Sequence, residues 1–208
     1  GFSGGWAYFT FSTMKDKDHS SVVSKVYEYL GVISFVITIA IMPFLPIAFR
    51  LLFVGDYVLG YKVASYLFLS PLLLMLFQTS GSQLLVAKKS YWITIFLTIG
   101  AGLNVFLNYL LIPVLGIEGA SIATLIGYSS SVVIMAVITT KMNLLKIQRR
   151  FVISASVTVL FFVLSKLLLN KTFLPWFAVS LISVGLILFL YREELQKLKG
   201  RMKRGRSV

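Results

Sequence analysis

Side chains able to do chemistry are scarce in this chain and lie far apart. The one cluster of metal-ligand types is Asp16, Asp18 and His19, in the run DKDH. Neighbouring side chains on a polar segment seldom close a coordination sphere, so this run reads as a solvated loop. The remaining carboxylates at Glu28, Asp56, Glu118, Glu193 and Glu194 map to loops or helix ends, which argues against a proton relay. Without cysteine there is no disulfide, thiolate nucleophile or thiolate metal site. Phosphate-binding loops, zinc-binding helix motifs and paired histidine and acid sets are absent too, so neither an enzyme nor a cofactor is expected. What remains is Gln78, Ser82, Asn104 and Asn108, uncharged groups inside otherwise apolar stretches, and Arg50 near the end of one.

Those stretches decide the class. Residues 30–53, 64–85, 91–114, 120–139, 151–169 and 173–191 each approach the roughly 20 residues a helix needs to cross hydrocarbon. They are apolar on every face, whereas barrel strands would alternate, so each segment must satisfy its backbone internally as a helix. A chain of 208 residues that is 58% hydrophobic and 13% charged has too little polar surface to cover a water-soluble core. The fold class is an all-α, polytopic transmembrane helix bundle.

Charge gives the orientation. Threading the spans in order puts all but four of the 20 basic residues on one side, namely those of the loops from Lys15 to Lys25, at Lys88 and Lys89 and from Lys141 to Arg150, and those from Arg192 to Arg206. Arg50, Lys62, Lys166 and Lys171 fall on the other. The positive-inside rule then places the first set, with the C-terminus, in the cytoplasm. A net charge of +13 invites a nucleic-acid reading, but the charges are spread over short loops between spans with no stacking platform or recognition helix, so no nucleic-acid partner is expected. The basic tail 192–208 also attracts anionic lipid headgroups, at about 1 kcal/mol per charge near the surface.

Within the spans, Pro43 and Pro46 each remove a helical hydrogen bond, marking a packing bend or a gate. Gln78 and Ser82 share one helix face and Thr79 and Gln83 the next, facing either a neighbouring helix or a cavity. Asn104 and Asn108, one turn apart, need partners within the protein. Pro113, Gly116 and Gly119 punctuate a tight turn, making the flanking spans antiparallel neighbours. Gly119, Ala123, Gly127 and Ser131 form a stripe of small residues where another helix can approach closely. Lys166 is expected to snorkel outward, as is Arg50 unless it faces a cavity, where its planar fork would suit phosphate oxygens. Trp176 and Tyr191 suit the two membrane interfaces.

The combination QTSGSQLLVAKKSYW and GLNVFLNYLLIPVLGIEGASIATLIGY, covering about residues 78–128, resembles bacterial polysaccharide flippases of the multidrug and oligosaccharidyl-lipid exporter superfamily. The matching residues are Leu103, Asn104, Leu107, Asn108, Leu111 to Pro113, Gly116 to Gly119 and Ala120 to Thr124, with Lys88 and Lys89 as the basic pair between spans. Such proteins have two six-helix lobes around a cavity, often with two more C-terminal helices. The resemblance implies that residues 1–13 end a preceding transmembrane helix, 14–29 form a cytoplasmic connector, 30–140 belong to the C-terminal lobe, 141–191 are the two additional helices and 192–208 a cytoplasmic tail. It implies a missing N-terminal lobe, a place in the bacterial cytoplasmic membrane and a lipid-linked oligosaccharide, carried on undecaprenyl diphosphate, as substrate. Gln78, Ser82, Asn104, Asn108 and Arg50 are then cavity candidates, and Pro43 and Pro46 the helix bend. The competing readings are a drug or cation exporter of the same superfamily, and a non-transporting scaffold of a glycan-assembly complex.

Overall fold

A computed structural model describes residues 2–16, 18–168 and 173–197. Lys17, Lys171 and the tail from Lys199 to Arg206 therefore lie outside the described residues. Every regular element among the described residues is helical: α1 (Phe2–Thr13), α2 (His19–Ile41), α3 (Leu45–Leu52), α4 (Tyr61–Leu67), α5 (Leu69–Val86), α6 (Tyr91–Leu115), α7 (Ile117–Lys141), α8 (Arg149–Leu168) and α9 (Phe173–Leu190). Two 3-10 turns, Met42–Phe44 and Gly55–Gly60, join α2 to α3 and lead into α4.

Proline sets the breaks. Pro43 has no N–H for the carbonyl of Ile39 one turn back, and that carbonyl instead accepts a hydrogen bond from Ser180 Oγ of α9 at 2.8 Å. The carbonyl that Pro46 leaves free, on Met42, accepts from the Leu45 N–H. The bend between α2 and α3 is thus held by a neighbouring helix. Pro71 does the same at the start of α5, so the expected second span divides at Phe68 into α4 and α5. The turn expected around Pro113 is tighter than the sequence suggests. Pro113 lies inside α6, and Gly116 alone, at φ 59° and ψ −140°, links α6 to α7. Only glycine takes that backbone conformation readily. At the far ends of α5 and α7, Lys88 and Asn143 adopt positive φ, and the next amides, of Lys89 and Leu144, reach back to the carbonyls of Leu84 and Thr139.

Six segments are long and apolar enough to cross a membrane: His19–Leu52, Gly55–Val86, Tyr91–Leu115, Ile117–Lys141, Arg149–Leu167 and Phe173–Leu190. The first has 34 residues, a path of about 50 Å that exceeds the hydrocarbon core and needs its bend. The outer surface is apolar in the manner of a lipid-facing one, with Leu51, Val54, Tyr109 and Val114 all more than three-quarters exposed. Inside, α7 packs against α4, α5 and α6, while α2 packs against α5, α8 and α9. The core where these two groups meet includes Val23, Ile39, Leu76, Leu84, Met135, Phe161 and Ile187.

The closest approach is between α6 and α7. A Cβ on Gly119 would stand 2.5 Å from the Leu111 carbonyl oxygen, and one on Gly127 would stand 2.9 Å from both Asn104 Cβ and the Gly100 carbonyl oxygen. Ala123 is fully buried, and Ser131 Oγ donates to the Phe96 carbonyl at 3.1 Å. The stripe of small residues on α7 is therefore in contact with the backbone of α6.

Candidate functional site

The polar groups gather at one end of the bundle, where the start of α2, the end of α5, the α7–α8 loop and the end of α9 converge. Ser20 Oγ donates to the Leu144 carbonyl at 3.1 Å, and the Lys146 amide donates to Ser24 Oγ at 2.8 Å. The same end carries the exposed Lys88, Lys89, Lys141 and Arg149.

At its centre is an ion cluster. Glu28, only 4% exposed, lies ten residues into α2 and not in a loop, a correction to its expected place. Its Oε1 accepts from Arg150 Nε at 2.7 Å and from the Tyr191 hydroxyl at 2.7 Å. Arg150 also pairs with Glu194 through Nη1 and lies over the Tyr191 ring, 4.6 Å from its centroid. One guanidinium thus joins two carboxylates and a phenol from three helical segments, an arrangement in which charge-assisted hydrogen bonds offset desolvation. The hydrogen bond from Arg150 holds the Glu194 carboxyl below its usual range, and burial, followed by the hydrogen bond to Glu28, pushes the Tyr191 phenol up. Tyr191 is buried and bonded, not placed freely at an interface. The cluster contains no activated nucleophile. Its chemistry is to fasten α8 and α9 to α2.

Beside it lies a second polar cluster. His19 is 8% exposed, in the first turn of α2, so the reading of its segment as solvated loop fails there; the helix begins at His19, within the stretch taken as a connector. The Thr13 hydroxyl donates to the Phe9 carbonyl at 2.8 Å, and its oxygen is hydrogen-bonded to His19 Nδ1 at 3.0 Å. His19 Nε2 is hydrogen-bonded to the Gln83 side-chain amide at 3.2 Å. Nearby, the Trp6 indole donates to Ser82 Oγ at 3.0 Å. Asp16 and Asp18 are exposed, and no metal-holding group of three or more ligands exists among the described residues.

The five cavity candidates do not share one cavity. Ser82 faces α1. Gln78 is exposed on the outside of α5, the opposite of the inward placement its pairing with Ser82 suggested. Arg50 is exposed at the end of α3 and has no ion pair among the described residues. Asn104 and Asn108 stay together: Asn108 Nδ2 donates to Asn104 Oδ1 at 3.1 Å, and Asn104 Nδ2 donates to Thr124 Oγ1 of α7 at 3.2 Å. Both are half-buried. At the other end of the bundle Lys166 pairs with Glu118, which also accepts from the Tyr66 hydroxyl at 3.3 Å; Lys166 is thus tied to α7 and does not simply extend toward water. Trp176 is buried, its indole donating to Ser165 at 3.0 Å. Sequence reasoning missed the pairs Glu28 with Arg150 and His19 with Gln83, because the two partners of each pair lie on different helices. Compared with known proteins, the chain matches no protein-family model, no curated protein and no solved structure.

Proposed function

We propose that this chain is the C-terminal part of a bacterial cytoplasmic-membrane transporter that moves a lipid-linked oligosaccharide, carried on undecaprenyl diphosphate, to the outer leaflet by alternating access. The observation that carries the reading is the amide pair Asn104 and Asn108. It lies half-buried in α6, a helix whose buried residues are only Phe96 and Gly100. Amides within a membrane span need polar partners, and a largely uncovered helix leaves room for them on a second lobe or in a hydrated cavity. The resemblance over residues 78–128 points the same way. Sugars and a diphosphate can leave the headgroup region only if protein groups replace their hydrogen bonds and countercharge. In this account the amides supply part of the first, the missing lobe supplies most of the second, and the lobes rock about a midplane site. The bend at Pro43 and Pro46 shapes the first span of this half. The C-terminus faces the cytoplasm.

The cation-exporter alternative calls for a buried acidic residue. Glu28 is one, but its Oε1 is already bonded to Arg150 and Tyr191, which favours the anionic substrate. In the full-length protein, the paired replacement Asn104→Ala with Asn108→Ala should lower glycan export about tenfold, the factor for some 1.4 kcal/mol of lost stabilisation, at unchanged protein level. Unchanged export would remove the lining role. Loss of folded protein in place of transport would assign the pair to bracing α6 on α7.

A further inference from the structure

Past Leu190 the helical path resumes over residues 192–197. An open depression of about 320 Å³ lies there, lined by Arg150, Phe189, Leu190, Arg192, Glu193 and Glu194. Its two sides differ in chemistry. Phe189 and Leu190 are the last residues of a membrane-spanning segment, so the apolar side belongs to the hydrocarbon. The charged side begins at the next turn, where the chain leaves it.

The charges differ in how they are already engaged. Arg150 is occupied by Glu28 and Glu194. The Arg192 guanidinium rests over the Phe189 ring at 4.6 Å and has no ion pair among the described residues. Glu193 is exposed and likewise has no ion pair among them. Arg192 and Glu193 thus both line the depression at the edge of the apolar layer, and neither is ion-paired among the described residues. Stacking on an aromatic ring pre-positions a guanidinium whose planar fork suits phosphate oxygens.

We propose that this depression binds the headgroup of a zwitterionic aminophospholipid. Arg192 takes the phosphate, Glu193 takes the primary ammonium, and an acyl chain runs along Phe189 and Leu190. A purely anionic headgroup fits less well, because its charge would approach Glu193 and Glu194 with Glu28 behind them. A choline headgroup carries no N–H to donate to a carboxylate.

The test is lipid retention, a readout independent of transport, so it can fail without the transport reading failing and the reverse. The full chain is placed in bilayer discs of equimolar phosphatidylethanolamine, phosphatidylcholine and phosphatidylglycerol, and the retained lipids are counted by native mass spectrometry. Phosphatidylethanolamine should exceed phosphatidylcholine by about fivefold, the upper factor for one partly exposed ion pair. Glu193→Gln should bring the two level, Glu193→Asp should keep the preference, and Arg192→Ala should reduce retention of both. Helicity by circular dichroism shows whether each variant is folded, and both positions are exposed. Phosphatidylglycerol, drawn also by the basic tail, is the reference for non-site retention; phosphatidylethanolamine no higher than phosphatidylcholine, or a preference unchanged by Glu193→Gln, would overturn the proposal.

Discussion

Arg150→Ala should destabilise the folded protein by about 3–5 kcal/mol, the range for removing one partner of a buried ion pair. Glu28, 4% exposed in the intact protein, would then keep only the Tyr191 hydroxyl of its two partners. The loss comes from stranding that carboxylate, not from the net worth of the pair. Replacing both partners, with Glu28→Leu and Arg150→Met together, should therefore recover a large part of it. Denaturant titration in mixed micelles measures both. A loss below about 1 kcal/mol for Arg150→Ala would mean that Glu28 is hydrated and the pair behaves as an exposed one. The cluster also gives an acid limb to stability. Because the native carboxyl of Glu194 is held below its ordinary range by Arg150, its contribution is present above that range and is lost as pH falls through the lowered native value. Glu194→Gln should remove that part of the acid dependence.

The second large effect belongs to the α6–α7 contact. A Cβ at Gly100 would overlap Ser131 Oγ and stand 2.6 Å from the Gly127 carbonyl oxygen. The hydroxyl can rotate away, but the carbonyl belongs to the backbone of α7 and can yield only if the helices separate. Gly100→Ala should cost about 1–3 kcal/mol, in the range of overpacking, and Gly100→Leu more. Gly102, two residues on, has nothing within 4 Å of its Cβ position. There Gly→Ala should be neutral or stabilising by up to about 1 kcal/mol through helix propensity. The same titration reads both, and equal effects at the two positions would mean that α6 does not lie against α7 in this register.

The all-α bundle was legible because membrane spans depend on run length and hydrophobicity, which one sequence carries in full. The bend at Pro43 and Pro46 and the small-residue stripe from Gly119 to Ser131 are local patterns and could be read the same way. Pro71 carries the same signal as Pro43, yet its division of α4 from α5 went unread because the apolar run continues across it. The polar clusters were much less accessible. His19 sits among Lys15, Asp16 and Asp18, a composition that reads as loop, and the Gln83 that completes its hydrogen bonds lies 64 residues away. Glu28 and Arg150 are 122 residues apart. Polar spacing showed that α5 carries two adjacent polar faces, but the inward one follows from where α1 and α2 pack. Ser82 and Gln83 are buried and Gln78 is not, an outcome that no single-helix pattern contains.

Every functional step depends on the spans threading a bilayer with the basic end inside. The 208 residues contain no cysteine, so single cysteines can report sidedness against no background from this region. Tyr57 and Gln148 are both exposed, between α3 and α4 and between α7 and α8. With the protein in intact cells, a membrane-impermeant maleimide should label Tyr57→Cys directly and label Gln148→Cys only after permeabilisation. Labelling of Gln148→Cys in intact cells would contradict the topology, and with it the direction of transport proposed above.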